Sequence, residues 1–187
     1  GKYDAAGVDI LSLVKEYSLP YEFPEPVIKE AKSIPQEIES VEQNRADFRN
    51  DEIFTIDGED AKDLDDAVSV QKNDDGTYNL NVHIADVSKY VKEGSKLDKE
   101  AITRGTSIYL MDRVIPMLPK ELSNGICSLN EGKDRYALSA IMVIDQKGNV
   151  ISSDVKKSII KVTRRMNYND VSSILRYVDC QKVGEEA

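Results

Sequence analysis

The chain has 187 residues, 40% hydrophobic content and a formal net charge of −9 at pH 7. It is long enough to bury a substantial core, and it contains no apolar run approaching the roughly 18 residues that a membrane-spanning helix requires. The acidic balance argues against a nucleic-acid binder held by bulk positive charge. A single histidine and two distant cysteines disfavour a zinc site and a histidine-based nucleophilic triad. Two unpaired thiols are typical of a reducing cytoplasm, so we expect a cytoplasmic protein with no membrane partner.

Residues 1–50 are predicted to form a helical connector. Apolar residues at helical spacing predict a first helix around Val8, Leu11 and Val14 and a second over Val27–Lys32, with three prolines between them. The polar segment Glu37–Arg45 is predicted to be an exposed linker.

Residues 51–187 are predicted to form a catalytic region rich in β-strands. Apolar and polar residues alternate over Tyr78–Ile84, and the preceding turn Asp74-Asp75-Gly76 predicts a hairpin with Ala67–Gln71. A second long hairpin is predicted from Tyr136 through a turn at Gln146–Asn149.

Two helices are predicted in this region. One runs over Leu97–Arg104, beginning near Ser95 and ending at Gly105, and the other begins at a cap residue, Asn167 or Asn169. These elements indicate an α+β fold, with a mostly antiparallel sheet and flanking helices.

Four aspartates, Asp57, Asp63, Asp65 and Asp66, lie within ten residues on the loop that enters the first hairpin. Two carboxylates about 4 Å apart repel by roughly 4 kcal/mol at an effective dielectric near 20, so the folded cluster needs a proton or a cation. Magnesium prefers oxygen ligands of this kind, and carboxylate-bound metals activate water against phosphodiesters.

An aspartate-rich loop by itself is also typical of a turn or a calcium site. An EF-hand beginning at Asp63 would require glycine at its sixth position and glutamate at its twelfth, where this chain has Val68 and Asp74. The EF-hand interpretation is therefore excluded.

The aspartate pattern is followed by four further motifs in a fixed order: His83–Ser88, Arg104–Leu110, Val114–Pro119 and Leu122–Asn130. From about residue 50 onward the sequence resembles the catalytic domain of the ribonuclease II and ribonuclease R family, and most closely its ribonuclease R branch. The resemblance implies a hydrolytic 3′→5′ exoribonuclease that degrades single-stranded RNA to nucleoside 5′-monophosphates. It implies Mg²⁺ as cofactor, with Mn²⁺ as a substitute, and leaves partners in RNA decay or at the ribosome unidentified.

The same resemblance implies roles for individual residues. Asp57, Asp63, Asp65 and Asp66 match the four catalytic, metal-binding aspartates of the family. The spacing does not divide their roles, although Asp57 and Asp66 are the most natural metal ligands. Tyr109 matches an aromatic residue that stacks on the 3′-terminal base, whereas composition alone favours a core aromatic. Tyr168 matches a tyrosine near the RNA.

Other conspicuous residues have structural interpretations. Met117 and Leu118 are expected to be buried scaffold residues, and His83 a hydrogen-bonded sheet residue. The densest basic stretch is either a local RNA-binding patch or a solvated strand face; it comprises Lys156, Lys157, Lys161, Arg164 and Arg165.

The family's catalytic domain is longer than 187 residues, and its distal part supplies an arginine that completes the site. We therefore expect this chain to be a fragment with weak or no activity of its own. Two alternatives from other classes are a non-catalytic RNA-binding relative and a structural divalent-metal-binding module.

Overall fold

The computed structural model of the chain describes residues 8–111 and 113–185, with side chains at position 10 and over 12–111 and 113–178. The side chains of Val8, Leu11 and Cys180 lie outside this description. The chain forms two compact units, one made of residues up to Pro35 with Ser88–Ser123, the other of Gln36–Val87 with the residues from Asn124 onward. The predicted division at residue 50, between a connector and a catalytic domain, stays a prediction.

The helices and strands follow the predicted order. They are α1 (Val8–Glu16), α2 (Glu25–Lys32), β1 (Ala46–Asp47), β2 (Ile53–Asp57), β3 (Asp66–Lys72), β4 (Tyr78–Ala85), α3 (Lys96–Arg104), β5 (Ile108–Tyr109), β6 (Val114–Ile115), β7 (Asp134–Ile144), β8 (Val150–Lys161), β9 (Arg164–Asn167) and α4 (Tyr168–Glu185). A wide helical turn covers Glu121–Ile126. Within the described residues, every helix is too short or too polar to cross a lipid bilayer.

Buried Arg104, at the end of α3, organises the first unit. Its guanidinium donates to the carbonyls of Pro20 at 2.7 Å, Glu22 at 2.8 Å and Pro116 at 3.2 Å, and it lies 3.5 Å from the ring centre of Phe23. These bonds satisfy carbonyls of proline-interrupted segments that form no regular structure, so one cation replaces the missing backbone partners.

The predicted helix caps are confirmed. Ser95 accepts a hydrogen bond from the Asp98 amide at 3.1 Å, and Gly105 ends α3 with a φ of 74°, a conformation that favours glycine. At the start of α4 the cap is Asn167, whose side chain accepts from the Asp170 amide at 2.9 Å.

The second unit is built on a seven-stranded sheet in the order β1-β8-β7-β4-β3-β2-β9. Both predicted hairpins are present, β3 with β4 and β7 with β8, and only the two outermost pairings are parallel. The mostly antiparallel α+β class is therefore confirmed.

The sheet curls strongly. Only Val162 and Thr163 connect β8 to β9, which lets these strand ends lie about 11 Å apart at most. In a flat sheet the strands would be five spacings apart, about 24 Å.

The buried face of the sheet carries polar residues beside its apolar core. Along β4 the buried residues are Asn81, His83 and Ala85, whereas Ile84 on the opposite face is 47% exposed. The same inversion holds across neighbouring strands, where Ser69, Ser139 and Ser158 are buried and the apolar residues Val70, Leu138 and Val155 are exposed. The alternation correctly predicts the strand, but it does not reveal which face is covered.

A chain of hydrogen bonds explains why these polar residues tolerate burial. Ser69 Oγ lies 3.4 Å from His83 Nε2, and His83 Nδ1 lies 2.6 Å from Ser139 Oγ. The chain continues to Ser158 Oγ at 2.6 Å, which donates to the Ala137 carbonyl at 3.1 Å. Each donor in this series of hydrogen bonds finds an acceptor when His83 is neutral and carries its proton on Nδ1, because the direction of donation is then the same throughout the series. His83 is thus a hydrogen-bonded sheet residue, as expected.

His83 should make the fold acid-sensitive. Burial lowers its pKa from 6.5 to about 4, so between these values the unfolded chain binds a proton that the folded chain does not. The contribution of His83 to the free energy of unfolding is therefore fully present above pH 6.5 and is lost as the pH falls towards 4. We expect urea unfolding to show that lowering the pH from 6.5 to about 5 destabilises the parent by about 2 kcal/mol more than the His83→Gln variant. Equal pH dependence of the two proteins would contradict a neutral, buried His83.

One sequence-based expectation about burial has an exception and another is wrong. The segment Glu37–Arg45 is exposed or half-buried, as predicted, but the side chain of its last residue, Arg45, is only 3% exposed and bonds to Asp86 and Glu42 at 2.8 Å each. Its planar cation also lies 4.0 Å from the ring centre of Tyr136, a favourable contact that sequence polarity does not reveal. Met117 and Leu118, which were expected to be buried, are half-buried and lie in a bend between Pro116 and Pro119.

Candidate active site

The four aspartates lie where β2 and β3 separate, all within the second unit. The two strands pair only at Ile53 with Ser69 and Phe54 with Val68. Asp57 then ends β2 and Asp66 begins β3, so the intervening loop carries Asp63 and Asp65. The fold thus places all four residues on one loop at one end of the strand pair.

Buried Leu64 and Ser128 anchor the second half of this loop. Leu64 is 1% exposed and packs in the core of the unit with Ile53, Ala85 and Leu129. Ser128, also fully buried, accepts from the Leu64 amide at 3.1 Å and donates to the Lys62 carbonyl at 3.0 Å. The backbone between Asp63 and Asp65 is therefore held by the core.

Arg165 of β9 holds the first half of the loop. Its Nη2 donates to the carbonyls of Glu59 and Ala61 at 2.7 Å each, and the Gly58 carbonyl lies 3.5 Å away. The strand is itself fixed, because β9 pairs in parallel with β2 and places Asn167 beside Asp57.

The carboxylates of the loop influence one another. Burial, followed by the charges of Asp66 and Asp63, raises the pKa of Asp57, while the charge of Arg165 opposes that rise. Burial also raises the pKa of the Asp65 carboxyl group, followed by the charges of Asp63, Asp66 and Asp57, although Asp65 retains an exposed surface. The four aspartates are therefore close enough for their charges to interact, and their role as metal ligands stays a prediction.

The donor set fits a magnesium ion better than a fully coordinated calcium ion. Within the described residues, no group of three or more His, Cys, Asp or Glu side chains is placed to hold a metal ion. Calcium takes about 6–8 oxygen ligands, whereas magnesium is usually held by one or two carboxylates together with waters and substrate phosphates. Partly exposed carboxylates with raised pKa values supply such oxygens, and a cation would relieve their mutual repulsion.

The two predicted RNA-binding tyrosines are both on the surface. Tyr109, in the first unit, lies on β5 and is 66% exposed, so the alternative of a core aromatic is excluded. Tyr168, in the second unit, is 63% exposed and follows Asn167, the partner of Asp57 in the sheet. Stacking on RNA stays a prediction for both residues.

The predicted basic patch is divided. Lys156 and Lys157 are consecutive on β8 and therefore point to opposite faces, and Lys156 lies 3.2 Å from Asp154. Arg165 contacts the aspartate loop. The stretch therefore does not form one continuous basic surface on a strand.

Sequence reasoning missed Leu64, Ser128 and Arg165 as supports of the site. The available signal for Ser128 was a polar residue within the apolar run from Ile126 to Leu129. No local pattern links it to Leu64, because the two residues are 64 positions apart.

Comparison with known families identifies the class of this protein. Residues 45–185 match the RNB domain, and the chain belongs to the RNB family. Among similar proteins, ribonuclease R of Thermotoga maritima is 54% identical over 178 residues, covering 94% of this chain and 25% of that protein. Ribonuclease R 1 of Lactococcus lactis is 49% identical over 176 residues, covering 94% of this chain and 22% of that protein.

Solved structures agree with this assignment. Mycoplasma genitalium RNase R in complex with ribose-methylated single-stranded RNA superposes with a TM-score of 0.88 at 31% identity, covering 95% of this chain and 28% of that one. The same protein in complex with double-stranded RNA gives a TM-score of 0.86 at 30% identity, covering 95% of this chain and 32% of that one.

A more distant structural match shows that the fold alone does not establish nuclease activity. A yeast pseudonuclease superposes with a TM-score of 0.74 at 22% identity, covering 92% of this chain and 22% of that one. The chain spans about a quarter of the length of the curated relatives described above. Activity must therefore be argued from the site.

Proposed function

We propose that this chain carries the metal-binding part of a hydrolytic 3′→5′ exoribonuclease, which releases nucleoside 5′-monophosphates from single-stranded RNA. The observation that carries the proposal is the loop with Asp57, Asp63, Asp65 and Asp66, whose backbone is held on both sides while its carboxylates interact. Membership of the RNB family supports the same reaction class.

Asp57 and Asp66 are the proposed principal ligands of magnesium, with manganese as a substitute, and Asp63 and Asp65 complete the site or orient the attacking water. When bound, the metal would supply charge neutralisation at the scissile phosphate and lower the pKa of water. The protein contributes a loop whose backbone is already ordered, so little conformational entropy is lost when substrate arrives.

RNA is the proposed partner. Structures of the related Mycoplasma genitalium protein contain single-stranded and double-stranded RNA. Exposed Tyr109 and Tyr168 are proposed to stack on bases, an interaction worth about 1–3 kcal/mol per base that tolerates any sequence. A cytoplasmic location belongs to the same proposal, since buried Cys127 is a free thiol.

Both alternatives are less well supported. A non-catalytic relative has no need for four acidic residues whose like charges raise carboxyl pKa values. A structural calcium module takes about 6–8 oxygen ligands, and among the described residues no group of three or more His, Cys, Asp or Glu side chains is placed to hold a metal ion.

Divalent metal should stabilise the isolated chain. Because the cation binds the folded loop, magnesium at about ten times its Kd is expected to raise the Tm by about 3–6 °C. The effect should be larger at pH 7 than at pH 4, since protonated Asp57 and Asp65 do not bind metal. Calorimetry of the parent, of Asp57→Asn/Asp66→Asn and of the hairpin-turn control Asp74→Asn tests this. An unresponsive parent, or an equal response in the double variant, would contradict the metal site.

The reaction itself is tested by product analysis. A full-length protein that contains this chain should shorten 5′-labelled single-stranded RNA from its 3′ end and release 5′-monophosphates in the presence of magnesium. The 187-residue chain should do so weakly or not at all, because family resemblance places further catalytic groups beyond it. Internal cleavage, or products with 3′-phosphates, would contradict the proposed reaction.

A further inference from the structure

The side chain of Arg165 holds the backbone of the aspartate loop, an arrangement called the clamp below. One nitrogen, Nη2, donates to two carbonyls of the aspartate loop, those of Glu59 and Ala61, at 2.7 Å each. The nitrogen carries two hydrogens, so both are used. The Arg165 amide is also held, because it donates to Glu131 Oε2 at 2.8 Å.

Arg165 binds the part of the loop that precedes its core-bound residues, where Ala61 packs against the core and its amide donates to the Gly58 carbonyl at 3.1 Å. Ser128 and its neighbour Leu129 bind the backbone of Lys62 and Leu64. The Ala85 amide donates to the Asp65 carbonyl at 2.9 Å. In residues 59–61, the Arg165 guanidinium is the group that binds the backbone carbonyls. The conformation of this segment determines how far Asp63 lies from Asp57.

We propose that Arg165 is a positioning residue of the metal site. By fixing the backbone of residues 59–61, Arg165 sets the distance between the carboxylate of Asp57 and the carboxylates of Asp63, Asp65 and Asp66. This inference rests on the proposed function. Magnesium demands a near-ideal octahedron at about 2.0–2.1 Å, so a loop free to drift by a fraction of an ångström binds it less well.

Arg164 provides a matched control. It precedes Arg165 on β9 and is also exposed, but its side chain points to the opposite face of the strand. Arg164→Met therefore removes the same charge without removing the bonds to the loop.

The first measurement uses no metal and no substrate. Amide hydrogen exchange of the chain should become faster across residues 58–63 in Arg165→Met, whereas Arg164→Met should match the parent. Arg165→Lys should lie between them, because an ammonium can donate to the same carbonyls without the planar geometry. Unchanged exchange in Arg165→Met would overturn the clamp.

The second measurement uses the full-length protein. The magnesium concentration that gives half the maximal cleavage rate should rise roughly tenfold in Arg165→Met and less than twofold in Arg164→Met, while saturating magnesium restores most of the rate. Weaker RNA binding with an unchanged magnesium requirement would make Arg165 an RNA contact and overturn the inference. A loss of rate that added magnesium does not restore would also overturn it, since that result indicates general misfolding. Absence of metal-dependent cleavage by the unsubstituted protein would instead refute the proposed function.

Discussion

Replacing Asp66 by Asn in a full-length protein that contains this chain is expected to lower the rate of RNA cleavage by about 10²–10³-fold, while RNA affinity changes by less than about twofold. The substitution preserves the size of the side chain and removes one negative charge from the proposed metal site. Metal stabilises charge that develops in the transition state, so the loss falls on hydrolysis and not on ground-state binding. Single-turnover cleavage and equilibrium RNA binding of the same preparation separate the two effects.

Two further variants serve as controls for that result. Asp60→Asn removes the same charge from an exposed position of the same loop and should leave the rate within about twofold of the parent's. Tyr109→Ala removes a proposed stacking surface worth about 1–3 kcal/mol and should change the length at which digestion stops without abolishing hydrolysis. An active Asp66→Asn, or an Asp60→Asn as damaged as Asp66→Asn, would show that the assigned role of Asp66 is wrong.

Replacing Arg45 by Met is expected to lower the free energy of unfolding of the chain by about 3–5 kcal/mol, because it removes the cation from a buried ion pair. The side chains of Arg45 and Asp86 are 3% and 6% exposed and lie 2.8 Å apart. The guanidinium also donates to the Ser158 carbonyl at 3.2 Å, so its removal takes away the bond between this segment and β8. Urea unfolding monitored by circular dichroism measures the change.

The same experiment has a control within the chain. Arg49 pairs with Asp47 at 2.6 Å and Asp134 at 3.1 Å, but its side chain is 34% exposed. Arg49→Met should therefore lower the free energy of unfolding much less than Arg45→Met, because solvent screens an exposed ion pair. The double variant Arg45→Met/Asp86→Asn should recover part of the loss, since no carboxylate then remains buried without its cation. Equal effects of Arg45→Met and Arg49→Met would mean that burial does not strengthen the first pair.

The supports of the aspartate loop link the fold to the proposed chemistry. Leu64 is a core residue between Asp63, which is half-exposed, and Asp65, which is exposed. Buried Ser128 accepts a hydrogen bond from the Leu64 amide. The orientation of the acidic side chains thus depends on ordinary core packing.

Local patterns predicted much of this protein. Turn residues at Asp74–Gly76 and cap residues at Ser95 and Gly105 determined where elements begin and end, because their conformational preferences act within a few residues. The four aspartates were also evident from sequence, since like charges that close together require a neutralising partner wherever the loop is ordered.

Only the tertiary structure decided which side chains are covered. The sequence of β4 shows that two faces alternate, but Asn81 and His83 are buried because hydrogen-bond partners arrive from β3 and β7. Arg45 lies in a polar segment and is buried because Asp86, 41 residues away, pairs with it. Likewise, the sequence does not distinguish Arg165 from the basic residues near it. In the structure, the sheet places its guanidinium against the carbonyls of Glu59 and Ala61 in the aspartate loop. These hydrogen-bonding and charged partners are distant in sequence, so local conformational preferences do not reveal them. Whether a polar side chain can be buried therefore depends on which partners the folded chain brings to it.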